Sequence, residues 1–364
     1  MHVAAVETRG FRNLTDARIE LGRGVAVLHG DNGAGKTNLL EAVYFGLAAR
    51  SFRTGNDRDM IAFEQPSARV ELELGGGEGT LLSALDRGGE RRHSLDGRPL
   101  RGSGERPLVS VFHPDRMELV KGPAARRRGH LDRVVGALWP ARSDLRNRFG
   151  RTLAQRNALA SRVRAGHADP ASLRTWDERL AAEAVPLICS RAEAVETLST
   201  PVLESATALG LGEVELRYRP RAEPDADAIL AELDARRDPE LGRAYTTYGP
   251  QLDEIEMRSG GRPLRRFGSQ GQQRAALLAL LFGERSALIA AGRPAPLMLL
   301  DDVMSELDPE RRELLVATLS GAGQALITAT EQRQVPSTEG LRSLGVREGR
   351  VLATEPEAPE ARAA

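Results

Sequence analysis

Apolar and polar positions along the chain change from a strand-like period to a helix-like period and back. Two short apolar runs come first, HVAAVETRG at 2–10 and GVAVLHG at 24–30, and the second ends in a glycine-rich turn. Behind that turn, NLLEAVYFGLAA has apolar residues at helical spacing. Strand-like alternation then runs through 60–113, with GGGEG and DRGGERR as turns. The pattern predicts strand, loop and helix, followed by an antiparallel sheet.

The middle of the chain, 123–208, is rich in Ala, Leu and Arg at helical spacing. It predicts a helical lobe interrupted at Pro140, Pro170 and Pro201. A long coiled coil is the alternative, but these breaks and the lack of sustained heptads count against it. The single cysteine, Cys189, lies in the apolar stretch AVPLICS and is expected to be a small buried side chain.

Strand character returns in VELRYRP and DEIEMRSGGRPL. A helix over about 270–290, the apolar strand PLMLLDD, the helix LLVATL and the strand QALITAT follow. Two β-rich pieces around a helical insert predict one composite α/β domain built from both chain ends. The expected divisions are 1–122 and 209–354 for the two parts of that domain, 123–208 for the helical lobe, and 355–364 for a disordered tail.

Charge and composition exclude several classes of protein. Lys plus Arg and Asp plus Glu both number 51, so no overall positive field attracts nucleic acid, and any DNA binding needs a local patch. One cysteine excludes an internal disulfide and favours a reducing compartment. The chain has neither a signal-peptide pattern nor an uncharged apolar run long enough for a membrane span, so we expect a cytoplasmic protein with no membrane partner.

The glycine-rich turn carries the first candidate chemistry. It matches G-x-x-x-x-G-K-[ST] and lies between a predicted strand and a predicted helix, where a phosphate-binding loop belongs. Backbone N–H groups there would hold phosphates. Lys36 would reach the β and γ oxygens, and Thr37 would bind Mg²⁺. The nucleotide-binding candidates are Gly30, Asp31, Asn32, Gly33, Ala34, Gly35, Lys36, Thr37 and Asn38. An ordinary glycine turn is the alternative interpretation.

A second candidate is the strand LMLL, which ends in Asp301 and Asp302. The first carboxylate suits Mg²⁺, and the second suits the orientation or deprotonation of an attacking water. An apolar strand that ends in Asp is common, so this prediction depends on its pairing with the phosphate-type loop. We expect Asp302 and Lys36 to be catalytic, Thr37 and Asp301 to bind the metal, and ATP and Mg²⁺ to be the cofactors.

The segment Ser269-Gln270-Gly271-Gln272-Gln273 opens the long predicted helix and resembles the signature loop of ABC ATPases. SELD at 305–308, after the second carboxylate, resembles their D-loop. As a bare pattern, the first segment is a capped helix start. The resemblance implies that Ser269 has a catalytic role and that Gln270, Gly271 and Gln272 bind the nucleotide of a second subunit. Two ATP molecules would then lie between two ABC-type heads.

Within that superfamily, the chain is most similar to the RecF family of bacterial recombination mediators, over nearly its whole length. The segments that carry the resemblance are FRNL at 11–14, GDNGAGKTNLLEAVY at 30–44, VFHPDRMELVKGPAARRRGHLD at 111–132, FGSQGQQRAALLAL at 267–280 and LLDDVMSELDPERR at 299–312. The helical insert is too short for the long-armed SMC and Rad50 relatives. One departure is Gln251-Leu252, where family members usually have His-Arg.

The resemblance implies an ABC-type P-loop ATPase head with an inserted helical lobe. It also implies a weak, DNA-stimulated ATPase that dimerises on duplex DNA or single-strand/double-strand junctions and helps to load RecA at gaps, with RecR and RecO. Arg12 is expected to approach the nucleotide, and Thr330 or its neighbour Thr328 to replace the superfamily's switch histidine. His113 and Asp115 stand where ABC proteins sense Mg²⁺ and the attacking water.

Several alternatives stay open at this point. The arginine-rich helices offer DNA contacts or, equally, solvated and salt-bridged faces. The residues concerned are Arg126, Arg127, Arg128, Arg142, Arg146, Arg148 and Arg151. The other function classes are the motor subunit of an ABC transporter, another SMC- or Rad50-like ATPase, and a nucleotide-gated binding module. The second carboxylate counts against the last, because binding alone does not require it.

Overall fold

The structure, a computed structural model, describes residues 2–100, 108–114, 117–321 and 323–354. The chain forms two compact units, one made of 1–116 with 294–364 and the other of 117–293. The strands in chain order are β1 (Val3–Arg9), β2 (Ala17–Glu20), β3 (Val25–His29), β4 (Ser67–Leu74), β5 (Gly79–Asp86), β6 (Arg91–Leu95), β7 (Arg98–Pro99), β8 (Val109–Phe112), β9 (Val214–Arg219), β10 (Glu254–Ser259), β11 (Arg262–Pro263), β12 (Leu297–Leu300), β13 (Ala325–Ala329), β14 (Arg342–Arg347) and β15 (Arg350–Thr354). The helices are α1 (Lys36–Ala48), α2 (Ala124–Leu138), α3 (Leu145–Arg164), α4 (Leu173–Ala208), α5 (Ala226–Ala235), α6 (Arg237–Arg243), α7 (Leu264–Phe267), α8 (Gln270–Ala290) and α9 (Pro309–Ser320).

Two sheets build the first unit. One is antiparallel, in the order β2-β1-β4-β5-β6-β7. The other has the order β15-β14-β3-β13-β12-β8, and its strands are parallel except for β15. Helix α1 contributes apolar residues such as Leu39, Leu40 and Phe45 to the core of this unit. Because β3, β13 and β12 are parallel neighbours, their carboxyl ends meet at one edge, where ligands bind in open α/β sheets.

The ends of the described chain are tied together inside this unit. The buried side-chain amide of Gln324 accepts a hydrogen bond from Val3 N (2.8 Å) and donates to Val3 O (2.7 Å) and Gly22 O (2.5 Å). These contacts satisfy polar groups that would otherwise be buried without partners. The composite domain predicted from the two β-rich pieces is therefore present, built from the first 116 residues and from residues beyond 293.

The second unit contains α2 to α8 and the antiparallel sheet β11-β10-β9. Its longest contact is between α4 and α8. A buried ion cluster joins α3 to α4 and α6, because Arg156 Nε lies 2.6 Å from Asp177 Oδ1 and its NH1 lies 2.7 Å from Glu240 Oε2. Within the described residues, no helix is both long and apolar enough to cross a membrane.

Three expectations from the sequence differ from the structure. The predicted break at Pro201 is wrong, since α4 runs through Pro186 and Pro201, whereas short 3₁₀ turns do separate the helices at Pro140 and Pro170. Residues 209–293 lie with the helical lobe and not with the chain ends, because α8 packs along α4. Cys189 is exposed, on the outer side of α4. The expected tail, 355–364, lies outside the described residues.

Candidate nucleotide site

The glycine-rich turn connects β3 to α1 in a conformation that requires its glycines. Gly30 has φ 149°, and a Cβ there would come 2.1 Å from Val346 O in β14. Gly35, at the start of α1, has φ 115°. Other residues rarely adopt such angles, so these positions explain the spacing in the sequence. The turn folds over the side chain of Lys36, whose Nζ donates to Gly30 O (2.6 Å) and Asp31 O (2.9 Å).

Electrostatics around Lys36 match a site for a negatively charged group. Burial lowers the pKa of Lys36, while the carboxylates of Asp302, Asp301 and Asp31 act in the opposite direction. His29, the last residue of β3, also has a lowered pKa, first because of burial and then because of the positive charge of Lys36. The loop therefore holds a partly desolvated cation at the N-terminus of α1, which itself favours anions.

The two carboxylates at the end of β12 differ in environment. Asp301 is buried, and it accepts hydrogen bonds from Thr37 Oγ1 at 2.9 and 3.1 Å and from Thr328 Oγ1 at 2.7 Å. His113 Nε2 lies 3.4 Å from its Oδ2. Asp302 is exposed and has a left-handed backbone, with φ 48°. Its backbone N–H donates to Thr328 Oγ1 at 2.8 Å.

The residues of this edge suit a divalent cation held together with phosphates. The Thr37 hydroxyl and the Asp301 carboxylate supply adjacent hard oxygens, the kind that Mg²⁺ prefers. The described residues contain no group of three or more His, Cys, Asp and Glu side chains that could hold a metal alone. A cation bound by one hydroxyl and one carboxylate needs its other ligands from water or phosphate, which is the usual arrangement for Mg²⁺ in phosphoryl-transfer sites.

Two further predicted residues, Arg12 and Asn38, lie in a polar cluster beside the first turns of α1. Arg12 donates from Nε and NH2 to both oxygens of the fully buried Glu41, each at 2.9 Å. Asn38 Nδ2 donates to Asn13 Oδ1 at 2.6 Å, and its own Oδ1 accepts from Arg53 NH1 at 2.6 Å. The structure thus places Arg12 against α1 through Glu41, with Arg53 as a second cation that the sequence did not single out.

The two threonines after β13 have different partners. Thr328, the alternative candidate, contacts both carboxylate residues of β12, as described above. Thr330, the preferred candidate, bonds through its hydroxyl to Gln334 Oε1 at 3.0 Å. The geometry therefore favours Thr328 over Thr330 as the residue that meets the carboxylates. His113 also reaches Asp301, as its expected role requires, whereas Asp115 lies outside the described residues.

The signature-like segment lies in the second unit. Ser269 is the N-cap of α8, its Oγ accepts from Gln272 N at 3.2 Å, and Gln272 Oε1 accepts from Ser269 N at 2.9 Å. This reciprocal pair is a capping box, which explains the serine and the glutamine structurally. Ser269, Gln270, Gly271 and Gln272 are all exposed, so the end of a 21-residue helix faces solvent with its first N–H groups.

The seven arginines considered for DNA have protein partners. Arg126, Arg127, Arg142, Arg146, Arg148 and Arg151 each lie within 4.0 Å of a carboxylate, and Arg128 NH1 donates to Asp253 O. The salt-bridged interpretation therefore describes these helices. At the departure from the family pattern, Gln251 Nε2 donates to Tyr248 O at 3.0 Å, and Leu252 is exposed.

Sequence reasoning did not single out Asn13, Glu41 or Arg53. Asn13 follows Arg12 in the segment FRNL and donates to Gly33 O in the turn at 3.2 Å. Glu41 is a carboxylate on the buried face of α1, and this is the signal that would have marked it for a charged partner. Arg53 has no such signal, because the loop before it hides its distance from α1.

Known proteins resemble the chain over almost its whole length. A family model described as an AAA domain matches residues 5–95. The DNA replication and repair protein RecF of Heliobacterium modesticaldum is 34% identical over 360 residues, covering 95% of this chain and 96% of that protein. RecF of Anaeromyxobacter sp. (strain K) is 38% identical over 364 residues, with 93% and 95% covered.

Solved structures agree with these relatives. A structure of the recombination mediator protein RecF-ATPrS in the RecFOR pathway has a TM-score of 0.82 and 26% identity, with 97% of this chain and 98% of that chain covered. An Smc head domain derived from Pyrococcus furiosus has a TM-score of 0.57 at 17% identity over 97% and 96%, a likeness of fold alone. The fold is that of an ABC/SMC-type ATPase head, and the chain belongs to the RecF family of DNA replication and repair proteins.

Proposed function

We propose that the chain binds and slowly hydrolyses ATP, and that ATP makes it a DNA-binding dimer in repair and recombination. The observation that carries this proposal is the meeting of Lys36, Thr37, Asp301 and Asp302 at one sheet edge. These residues come from two segments more than 260 positions apart in the chain, with the side-chain types and order of a phosphate-binding loop and its metal-binding carboxylate.

In this proposal, the N–H groups from Gly30 to Thr37 and the ammonium of Lys36 hold the β and γ phosphates of ATP. Thr37 and Asp301 hold Mg²⁺, which supplies neutralisation of the charge on the phosphate oxygens. Arg12 and Arg53 add positive charge beside the first turn of α1, because two guanidinium groups share the single carboxylate of Glu41. The relative solved as RecF-ATP supports ATP as the nucleotide through its fold.

Hydrolysis needs a group that takes a proton from water, and Asp302 is the candidate. Its carboxylate is exposed beside a buried Asp301, and Thr328 fixes its backbone. A water oxygen forms the new bond to the γ phosphorus, the bond to the ADP oxygen breaks, and Asp302 accepts the proton. Water positioning and charge stabilisation contribute most of the catalysis in such reactions. The turnover is expected to be slow and to rise with DNA.

Dimerisation follows from the position of Ser269. An exposed helix start with free N–H groups is a natural anion site. Similarity to ABC ATPases suggests that this anion is the γ phosphate held by a second copy. Two ATP molecules then join two heads, and duplex DNA or single-strand/double-strand junctions bind the joined pair. The name of one solved relative, a recombination mediator of the RecFOR pathway, supports RecR, RecO and RecA as the partners.

The test is binding of a fluorescent duplex with and without Mg-ATP, over a salt series, with Asp302→Asn. Asparagine tolerates the left-handed backbone of this position, so the variant removes the proton acceptor with little strain. We expect nucleotide binding to be retained, hydrolysis to be lost, and tight DNA binding that appears only with ATP and falls steeply with salt. Lys36→Ala is the control without nucleotide binding. Equal DNA binding with and without ATP would contradict the switch, and normal hydrolysis by Asp302→Asn would exclude its catalytic role.

A further inference from the structure

We propose that Arg265, Arg266 and Phe267 form a docking surface for a second copy of the chain, and that its counterpart is the turn at Glu348 beside the second copy's phosphate loop. We call the three residues the RRF surface. The inference deepens the proposed function and rests on its ATP-dependent dimer, for which it names the side chains that close the interface.

The RRF surface is held rigidly next to Ser269. Leu264, the first residue of α7, is buried, and its carbonyl accepts hydrogen bonds from Gly268 N and from the buried Gln273 Nε2, both at 3.0 Å. A Cβ at Gly268 would come 2.8 Å from the same carbonyl. With the capping box of α8, these contacts fix the path from α7 into the signature-like segment.

The surface has the composition of an interface. All three side chains are exposed, Phe267 to 64%. Among the described residues, neither Arg265 nor Arg266 has an acidic partner, whereas the seven arginines of the helices are paired. Arginine and aromatic side chains are the types most enriched at protein interfaces and their hot spots. An exposed aromatic beside two unpaired cations is therefore the strongest candidate contact in this unit.

Chain geometry places the surface at the dimer contact. Consecutive Cα atoms lie about 3.8 Å apart, so Arg265 Cα is at most about 15 Å from Ser269 Cα. If Ser269 contacts the triphosphate held by a second copy, then Arg265 and Arg266 must lie against the surface around that copy's phosphate loop. Their positive charge then needs an acidic surface there.

Glu348 provides such an acidic group. It is exposed in the turn between β14 and β15, and the described residues include no cation paired with it. Gly349 N donates to Ala34 O at 2.8 Å, which attaches this turn to the phosphate loop. Asp31 is also exposed and lies in the loop itself. The rim of the nucleotide site is thus acidic, and the RRF surface is basic.

The experiment measures the dimer dissociation constant by analytical ultracentrifugation with Mg-ATP, in the Asp302→Asn background. Arg265→Glu/Arg266→Glu should weaken the dimer at least about tenfold, as expected for loss of close charge pairs at an interface. ATP affinity of the monomer should not change. The matched control is Arg162→Glu/Arg164→Glu, the same charge change at two exposed residues of α3, which should leave the dimer intact.

Charge reversal tests the counterpart. Glu348→Arg alone should weaken the dimer, and in combination with Arg265→Glu/Arg266→Glu it should recover most of the loss. An unchanged dimer in the arginine variant would overturn the surface, and no recovery in the combined variant would overturn its counterpart. If the Asp302→Asn background itself stayed monomeric with ATP, the proposed dimer would fail and the surface with it. That outcome is visible before any arginine is changed.

Discussion

At the scale of single residues, one hydroxyl controls both carboxylates of the site. A hydroxyl has one hydrogen to donate and can accept two. Thr328 Oγ1 uses the first on Asp301 and accepts from the backbone of Asp302. Asp302 lies in a left-handed conformation that costs free energy and persists only where the surroundings hold it. Thr328 is the described side chain that joins the two residues.

Replacement of this hydroxyl should therefore have two effects. Thr328→Val conserves shape but leaves the buried oxygen of Asp301 and the N–H of Asp302 with fewer partners. We expect the free energy of unfolding to fall by about 1–3 kcal/mol, the cost of an unsatisfied buried polar group. We also expect ATP hydrolysis to fall at least about tenfold while ATP binding persists, because the phosphate loop is unchanged. Denaturant unfolding and single-turnover hydrolysis measure the two effects.

Two controls separate this role from a general effect of threonine loss. Thr328→Ser keeps the hydroxyl and should hydrolyse ATP nearly normally. Thr330→Val removes a hydroxyl that bonds to Gln334 and not to a carboxylate, so it should also be nearly normal. A hydrolysis defect in Thr330→Val with normal activity in Thr328→Val would reverse the assignment made from the geometry.

At the scale of elements, α4 shows packing overriding a local signal. Proline inside a helix costs about 3 kcal/mol or more, which is why a break was predicted at Pro201. Leu198, Val202 and Ala206, around that proline, are fully buried. Burial of each large apolar side chain contributes about 1.5–3 kcal/mol, so the helix continues despite the missing hydrogen bond. The contact with α8 requires Gly283, where a Cβ would come 2.7 Å from Val202 N.

Substitution of this glycine tests the close approach. Alanine normally favours a helix over glycine by about 1 kcal/mol. At Gly283 the added Cβ would meet the backbone of α4, so Gly283→Ala should lower the melting temperature. Gly150→Ala is the matched control, since that glycine lies within α3 with nothing within 4 Å of an added Cβ. It should raise the melting temperature or leave it unchanged, and two equal shifts would contradict the packing argument.

The same contrast explains what could be predicted from the sequence. The phosphate loop, β12 with its carboxylates and the start of α8 follow from signals within a few residues, and the structure has these elements where the sequence predicted them. The place of residues 209–293 depends on the packing of α4 along α8, which are about 80 positions apart, and no local pattern encodes it. Likewise, Thr328 and Thr330 look alike in sequence, and only the pairing of β13 with β12 separates their roles.

Helix α8 also allows the capping and nucleotide roles of Ser269 to be tested separately. Ser269→Asp keeps a good N-cap, so the melting temperature should stay near that of the parent. The added negative charge would repel a phosphate, so the ATP-dependent dimer should weaken at least about tenfold. The comparison is Ser269→Ala, which loses the cap and about 0.5–2 kcal/mol of stability but adds no charge. Sedimentation and thermal unfolding report the two properties.

A purely structural serine would give a different pattern. In that case Ser269→Asp would dimerise like the parent, and Ser269→Ala would differ only in stability. This result would remove the signature role, leaving the nucleotide site of the first unit unaffected.

At the scale of the whole molecule, the absence of net charge limits how nucleic acid is recognised. Equal numbers of acidic and basic residues give no long-range attraction, and the arginines of α2 and α3 considered for DNA contacts have protein partners. Affinity for DNA must then come from a surface assembled by dimerisation. ATP controls that assembly if the first unit holds the nucleotide and the second unit contributes Ser269 to another copy.

Hydrogen exchange at two protein concentrations tests this division of labour in the Asp302→Asn protein. Ligand at 100 times its dissociation constant stabilises the bound state by about 2.7 kcal/mol, enough to slow exchange in the segments that hold it. Mg-ATP should therefore protect 25–48 and 325–330 at every concentration. Residues 264–273 should become protected only above the dimer dissociation constant, because a second copy is what reaches them. Protection of 264–273 in dilute monomer would show that no second copy is needed, and it would replace the ATP-joined dimer with closure within one chain.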